Sequence, residues 1–233
     1  MGTVFKVACT QDRLFEFLPG ETALLLIDLQ HDFCSPKGAC AAGGSDVGAI
    51  QLAIPRIRAV LEAARRAGLM VVHTRYGFRP DLSDLAESVR RQSRDAGGEY
   101  GQPGPLGRIL TRGEPGHEII DELRPIEGEV VIDKPGNGAF YATGLHDILL
   151  ERRISRLILS GVTTQCCVES TLREAVDRGF YCLTLYDCCA AFDLKLHDAT
   201  FAAIESEGHL FGWVSDSQAL LNTLGAASAV AAE

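Results

Sequence analysis

Positive charge is in short supply in this chain. Lys and Arg number 22 against 31 Asp and Glu, which leaves a net charge of −9. A phosphate backbone would be repelled on average, so nucleic acid is not an expected partner. Long apolar runs are missing too. None approaches a bilayer span, which excludes a membrane partner of the spanning kind. At the N-terminus, Lys6, Asp12, Arg13 and Glu16 interrupt any signal-peptide core. A cytoplasmic protein is the expectation. No internal repeat is visible, and the eight cysteines lack the spacing of a zinc site. The chain is also too long and too free of secretory signals for a disulfide framework. Most of these thiols are expected to pack as small buried residues.

What is present is ordinary globular composition: 233 residues, 46% apolar and 23% charged. That length fits one large α/β domain spanning 1–233, with residues 1–20 as an N-terminal arm and 226–233 as a flexible tail. Short continuous apolar runs read as strands buried on both faces, at 23–28, 69–75, 129–134, 156–161, 180–186 and, more weakly, 210–214. Helical spacing lies between them, at 50–67 before Gly68, 143–153, 168–178 before Gly179, 198–206 and 217–224. The alternation predicts a doubly wound, Rossmann-like three-layer sandwich around a central six-stranded parallel sheet. Residues 77–118 are rich in Gly, Pro and Arg and read as a lid or an interface segment.

Ligands of such sheets bind at the carboxyl ends of strands. Three reactive side chains fall there: Asp28, Lys134 and, after a tight turn, Cys167. A thiol at a helix N-terminus is drawn toward thiolate, and nearby amides can hold an oxyanion. Cys166 is its rival, since neighbours on a helix point about 100° apart and only one can face a cleft. Asp28 has the position of a general base or of a loop cap. Lys134 would ion-pair with Asp28 or Asp133. Together they would form a Cys–Asp–Lys cluster in which the Asp relays a proton and the Lys holds the charge balance. His31 reads as a loop histidine. Asp187 reads as a helix cap or a support of the site, and Cys188 and Cys189 as packing near its mouth.

The runs LLLIDLQHDF, VIDKPGNGAF and GVTTQCCVESTLREA resemble the isochorismatase-like cysteine hydrolases over roughly residues 20–222. The resemblance implies an Asp28, Lys134, Cys167 triad, and the Val168 that follows selects Cys167 over Cys166. It also implies a cis peptide between Val162 and Thr163, with the amides of Thr163 and Cys167 as the oxyanion hole. HTRYGFRPDLSDL, GRILTRGEPGHEII and FGWVS are most similar to the biuret hydrolase subgroup. By that likeness the substrate is a small linear ureide, the products include ammonia, and no cofactor is needed. The Asp-x-His metal set of the nicotinamidases is absent: Asp46 is followed by Val47 and Gly48, and Phe78 stands where a second ring beside His73 would be needed. No metal is therefore expected. Phe33, Phe140 and Phe192 are candidate pocket walls. Two departures from the subgroup, Asn137 in place of a Lys and Glu207 in place of a Gln, favour a cationic ureide such as guanylurea. Biuret, triuret and ureidoacrylate are the alternatives, with a non-catalytic binding protein as the rival class. A homo-oligomer, dimer or tetramer, is expected.

Overall fold

The apolar run after residue 21 lacks alternation because both of its faces are covered. In the computed structural model, which describes residues 3–230, it forms a fully buried strand. Its Leu24 and Leu26 enter one core cluster, while Ala23, Leu25 and Ile27 enter another on the opposite face. The strands in chain order are β1 (Phe5–Ala8), β2 (Leu14–Phe17), β3 (Thr22–Ile27), β4 (Met70–Tyr76), β5 (Pro103–Gly104), β6 (Gly107–Arg108), β7 (Val130–Lys134), β8 (Arg156–Val162), β9 (Tyr181–Ala190) and β10 (Trp213–Ser215). The helices are α1 (His31–Cys34), α2 (Ala39–Ala42), α3 (Gly48–Arg66), α4 (Glu87–Asp95), α5 (Leu145–Glu151), α6 (Glu169–Asp177), α7 (Leu194–Ile204) and α8 (Ser217–Val230).

Six strands form the expected parallel sheet in the order β10-β9-β8-β3-β4-β7. The strand order reverses between β3 and β8, which makes that pair the topological switch point. There the two strands approach so closely that a Cβ on Gly161 would collide with the Ile27 main chain, and Gly161 takes φ +131. Only glycine fits both demands.

The helices close the two faces. The buried Ile50, Ala53, Ile54, Ile57, Val60, Leu61 and Ala64 of α3 share a cluster with Leu220 and Leu224 of α8. Gly68, at φ +73, ends α3: its N–H bonds Arg65 O at 3.2 Å, and the Leu69 N–H bonds Ala64 O at 3.0 Å. Leu145 and Leu149 of α5, Leu172 and Ala175 of α6, and Phe201 and Ile204 of α7 pack on the other face.

Several boundaries differ from the sequence expectation. Residues 1–20 are not a plain arm: β1 and β2 pair as an antiparallel hairpin whose Val7, Phe15 and Phe17 are buried in the α3-side cluster. The sixth strand begins at Trp213 rather than 210, since His209 and Gly212 hold positive φ in a turn that leaves Leu210 exposed. Helix α7 starts early, at Leu194, because the Asp193 carboxylate accepts the Lys195 N–H at 2.8 Å and caps it. Helix α8 continues to Val230 through the expected tail, of which 231–233 lie outside the described residues. The segment 77–118 is not structureless. It folds α4, the β5–β6 ribbon and a small core of Phe78, Leu85 and Leu110 beside Tyr76. Among the described residues, no helix is long and apolar enough to cross a membrane.

Candidate active site

The exit of β3 is built around Asp28, whose φ of 53 turns the chain sharply off the strand. Left-handed backbone costs a non-glycine residue about 1–2 kcal/mol, so the neighbours must hold it. The Asp28 N–H bonds both the carbonyl and the hydroxyl of Thr74, each at 3.2 Å, and the Thr74 hydroxyl donates to Asp28 Oδ1 at 2.6 Å. Gln30 locks the next strand in place. Its amide donates to Tyr76 O at 3.0 Å and to His117 O at 2.9 Å, and its oxygen accepts the Tyr76 N–H at 2.7 Å.

Lys134 ends β7 and reaches back beneath this turn. Its Nζ lies 2.8 Å from Asp28 Oδ2, with both side chains fully buried. It also donates to Gly136 O at 2.9 Å and to Asn137 O at 2.7 Å, and it sits 4.7 Å over the Tyr76 ring. Two carbonyls and a carboxylate thus surround the ammonium, as a buried cation requires. Burial works against the charge, but Asp28 and Cys167 outweigh it and hold the Lys134 pKa above its ordinary value.

Cys167 follows β8 within a single wide helical turn, Thr164–Val168, that leads into α6. The Val162–Thr163 peptide is cis. Thr163 O accepts the Cys166 N–H at 3.1 Å and the Val168 N–H at 3.3 Å, which fixes the turn. The Thr171 hydroxyl donates to Cys167 O at 2.7 Å and accepts the Ala139 N–H at 3.1 Å, tying the turn to the loop that holds Lys134. Cys167 is buried and interacts with Lys134 and Asp28, whereas Cys166 is half-buried beside it. The neighbouring Cys167 thiol draws Cys166 down to about 7, with Lys134 helping against burial, while Cys166 together with burial pushes Cys167 up. The pair therefore releases one proton readily and retains the other.

The remaining expected residues divide. Phe33 stacks on Tyr76 at 6.5 Å and lines a cleft of about 360 Å³. Phe140 is buried: it stacks on Phe180 at 5.9 Å and lies under Arg178, in the α6-side packing. Phe192 packs against the opposite, α3-side cluster. Asn137 contributes its carbonyl to Lys134 while the residue is exposed. Glu207 is exposed in the turn after α7, at φ 50. His31 bonds Ser35 Oγ at 2.9 Å. Asp187 caps α8, accepting the Ser217 N–H at 2.7 Å and its hydroxyl at 2.6 Å, while Cys188 and Cys189 are buried in β9.

The isochorismatase domain model matches residues 22–219, which span the whole central sheet. The chain belongs to the isochorismatase family. Among its relatives are the ureidoacrylate amidohydrolases RutB of Acinetobacter baylyi, 30% identical over 94% of this chain and 89% of the relative, and of Serratia proteamaculans, 31% identical over 90% and 85%. A cysteine hydrolase from Pseudomonas syringae pv. phaseolicola superposes with TM-score 0.77 at 27% identity, covering 91% of this chain and 95% of that one. N-carbamoylsarcosine amidase from Thermoplasma acidophilum superposes with TM-score 0.63 at 26% identity, covering 84% and 96%.

In this isochorismatase-family chain, sequence reasoning passed over Thr74, Thr171, Tyr76 and Tyr100. Thr74 and Tyr76 lie at the carboxyl end of β4, next to the strand that delivers Asp28, so strand-end position was the available signal. Tyr100 carried none, because it reaches the site from the folded 77–118 segment. Among the described residues, no group of three or more His, Cys, Asp or Glu side chains is arranged to hold a metal ion. Asp46 caps the Gly48 N–H at 2.8 Å, and His73 bonds Glu129 at 3.0 Å.

Proposed function

We propose that the protein is an amidohydrolase that cleaves a terminal carbamoyl C–N bond of a small linear ureide, with Cys167 as nucleophile. The observation that carries this is the sealed Lys134–Asp28 ion pair at the switch point of the sheet, whose charges act on the buried Cys167 thiol. Asp28 accepts the thiol proton, and the thiolate attacks the carbamoyl carbon. The amides of Thr163 and Cys167 stabilise the oxyanion of the tetrahedral adduct. Asp28 returns the proton to the departing nitrogen, and ammonia leaves with the C–N bond broken. A water, deprotonated by the same carboxylate, then attacks the thioester and releases the thiol. Lys134 keeps the Asp28 carboxylate in place throughout.

The relatives favour ureidoacrylate as one substrate, since two of them bear that activity in their names at 30% and 31% identity. The residue changes at Asn137 and Glu207 favour a cationic ureide, with guanylurea as the specific candidate and biuret and triuret as neutral comparisons. Both positions are exposed, so the charge effect is that of a screened surface pair. The rest of the reading, a cytoplasmic homo-oligomer folded as one domain, follows the same family logic.

Ammonia release from a panel of ureidoacrylate, biuret, triuret and guanylurea tests the reading. Turnover of at least one member that disappears in Cys167→Ser supports it. A Cys167→Ser protein as active as the parent, or a parent inert on the whole panel, overturns it.

A further inference from the structure

The 77–118 segment contributes nothing to the Asp28–Lys134–Cys167 cluster, yet it carries one side chain to its edge. Tyr100 follows α4 in a turn that is hydrogen-bonded on every side. Its N–H bonds Ser93 Oγ at 3.2 Å, the Gly101 N–H bonds Ile109 O at 2.9 Å, and Arg108 Nε donates to Gly101 O at 2.8 Å. Gly101 holds φ +83 and stands where a Cβ would strike the Leu82 side chain, so the turn has little freedom to move.

The ring placed by this turn stacks on Phe78 at 5.8 Å and meets the edge of Tyr76 at 5.8 Å. Tyr76 in turn lies under the Lys134 ammonium. Tyr100 also lines the 360 Å³ cleft, with Asp32, Phe33, Cys40 and Leu110. Tyr76 and Tyr100 are the two members of this aromatic layer that carry a hydroxyl. Phe33 and Phe78 fill the same aromatic layer with no polar atom. Tyr100 therefore stands between the cleft, which it lines, and the Tyr76 ring that carries the Lys134 ammonium. Burial and the neighbouring thiols push Tyr100 up to about 12 and Tyr76 up as well, so both remain hydrogen-bond donors at neutral pH.

Resting on the amidohydrolase reading above, we propose that Tyr100 reads the far end of the substrate. Its hydroxyl donates to the distal acceptor of a short planar ureide whose carbamoyl carbon faces Cys167, and its ring closes the cleft to longer chains. Tyr100 is thus a specificity-determining residue supplied by the inserted segment. It takes no part in the covalent steps.

Tyr100→Phe keeps the ring packing and removes only the donor. Steady-state kinetics on the ureide panel, extended by an N-alkylated biuret, should show KM raised about tenfold with kcat within about twofold, the size of one neutral hydrogen bond. Iodoacetamide labelling of Cys167, which needs no substrate recognition, should proceed at the parental rate. Tyr100→Ala should raise the kcat/KM ratio of the N-alkylated over the parent ureide severalfold. If Tyr100→Phe leaves KM within twofold on every ureide that the parent hydrolyses, Tyr100 is not the reader, while the amidohydrolase reading stands. If it slows Cys167 labelling and lowers kcat without changing KM, its role is structural and the proposal is overturned. A parent protein inert on every ureide fails the underlying reading and takes this one with it.

Discussion

Lys134 Nζ stands 2.8 Å from Asp28 Oδ2, and neither side chain touches solvent. Each charge is tolerable only because of the other: desolvation of a lone buried ion costs several kcal/mol. Lys134→Met should therefore lower stability by about 3–5 kcal/mol, because it strands the carboxylate. The double variant Asp28→Asn with Lys134→Met should recover much of that loss. Urea midpoints of the parent, both single variants and the double check this. Additive losses would mean that the two side chains do not act as a pair. Activity should be absent from all three variants.

The half-buried Cys166 offers a second reading of the same electrostatics. The neighbouring Cys167 thiol lowers its pKa to about 7, against 9.0 for an unperturbed thiol. Iodoacetamide labelling of Cys166, followed by mass spectrometry across pH 5–10, should show a midpoint close to 7. Below it both thiols are protonated and labelling is slow; above it one thiolate is present. In Cys167→Ala the partner is gone, and the midpoint should move up toward the unperturbed value. Cys166→Ala should keep most of the catalytic activity, since Cys167 is the thiol proposed as nucleophile. A midpoint that stays the same in Cys167→Ala would show that the neighbouring thiol is not the cause.

The fold was more legible than the site's surroundings, for a physical reason. Strands covered on both faces, such as 23–28 and 156–161, show as continuous apolar runs, and Asp28 stands out at the end of the first, as Lys134 does at the end of the run 129–134. Hairpin β1–β2 did not show, because four-residue strands give too few alternations to rise above chance. The walls of the cleft were the hardest to read. Phe140 and Phe192 follow strand ends as Phe33 does, yet each turns into packing. Which way a loop ring turns depends on distant residues such as Phe180 rather than on its own neighbours. Tyr100 is the converse case: a loop residue brought in by hydrogen bonds that no local pattern announces.

Thr171 joins the nucleophile turn to the Lys134 loop with two bonds, one donated to Cys167 O at 2.7 Å and one accepted from the Ala139 N–H at 3.1 Å. Thr171→Val preserves shape and leaves that N–H buried without a partner. A loss of about 1–3 kcal/mol is expected. The two loops should also lose their mutual registration, with kcat lowered on the order of tenfold. Thermal midpoint and kcat, measured together, check both parts; an unchanged kcat would mean that the loops hold their positions independently.

Glu207 is exposed, and this limits what it can contribute to selectivity. A solvated carboxylate is worth about 0–1 kcal/mol to a cationic ligand. Glu207→Gln should therefore change the guanylurea-to-biuret ratio of kcat/KM by less than about fivefold. The effect should fade further at high salt. A larger change that persists at high salt would show that Glu207 closes over the bound ligand.

Acid sensitivity of the fold is expected to come from His117. Its ring is fully buried against Gly77, and burial, together with Arg75 and Arg112, lowers its pKa to about 4 even though Asp133 lies 3.9 Å away. In the unfolded chain the ring titrates near 6.5. Between those values the unfolded state binds the extra proton, so stability rises with pH. The contribution is complete above about 6.5 and is lost progressively as the pH falls toward 4. Urea midpoints at pH 7 and pH 5 should therefore show a clear loss in the parent. His117→Gln cannot bind that proton, so it should lose less between the same two pH values, even if it starts from a lower midpoint. Equal losses in the two proteins would place the acid sensitivity elsewhere, with the carboxylates that pair with Arg75 the next groups to test.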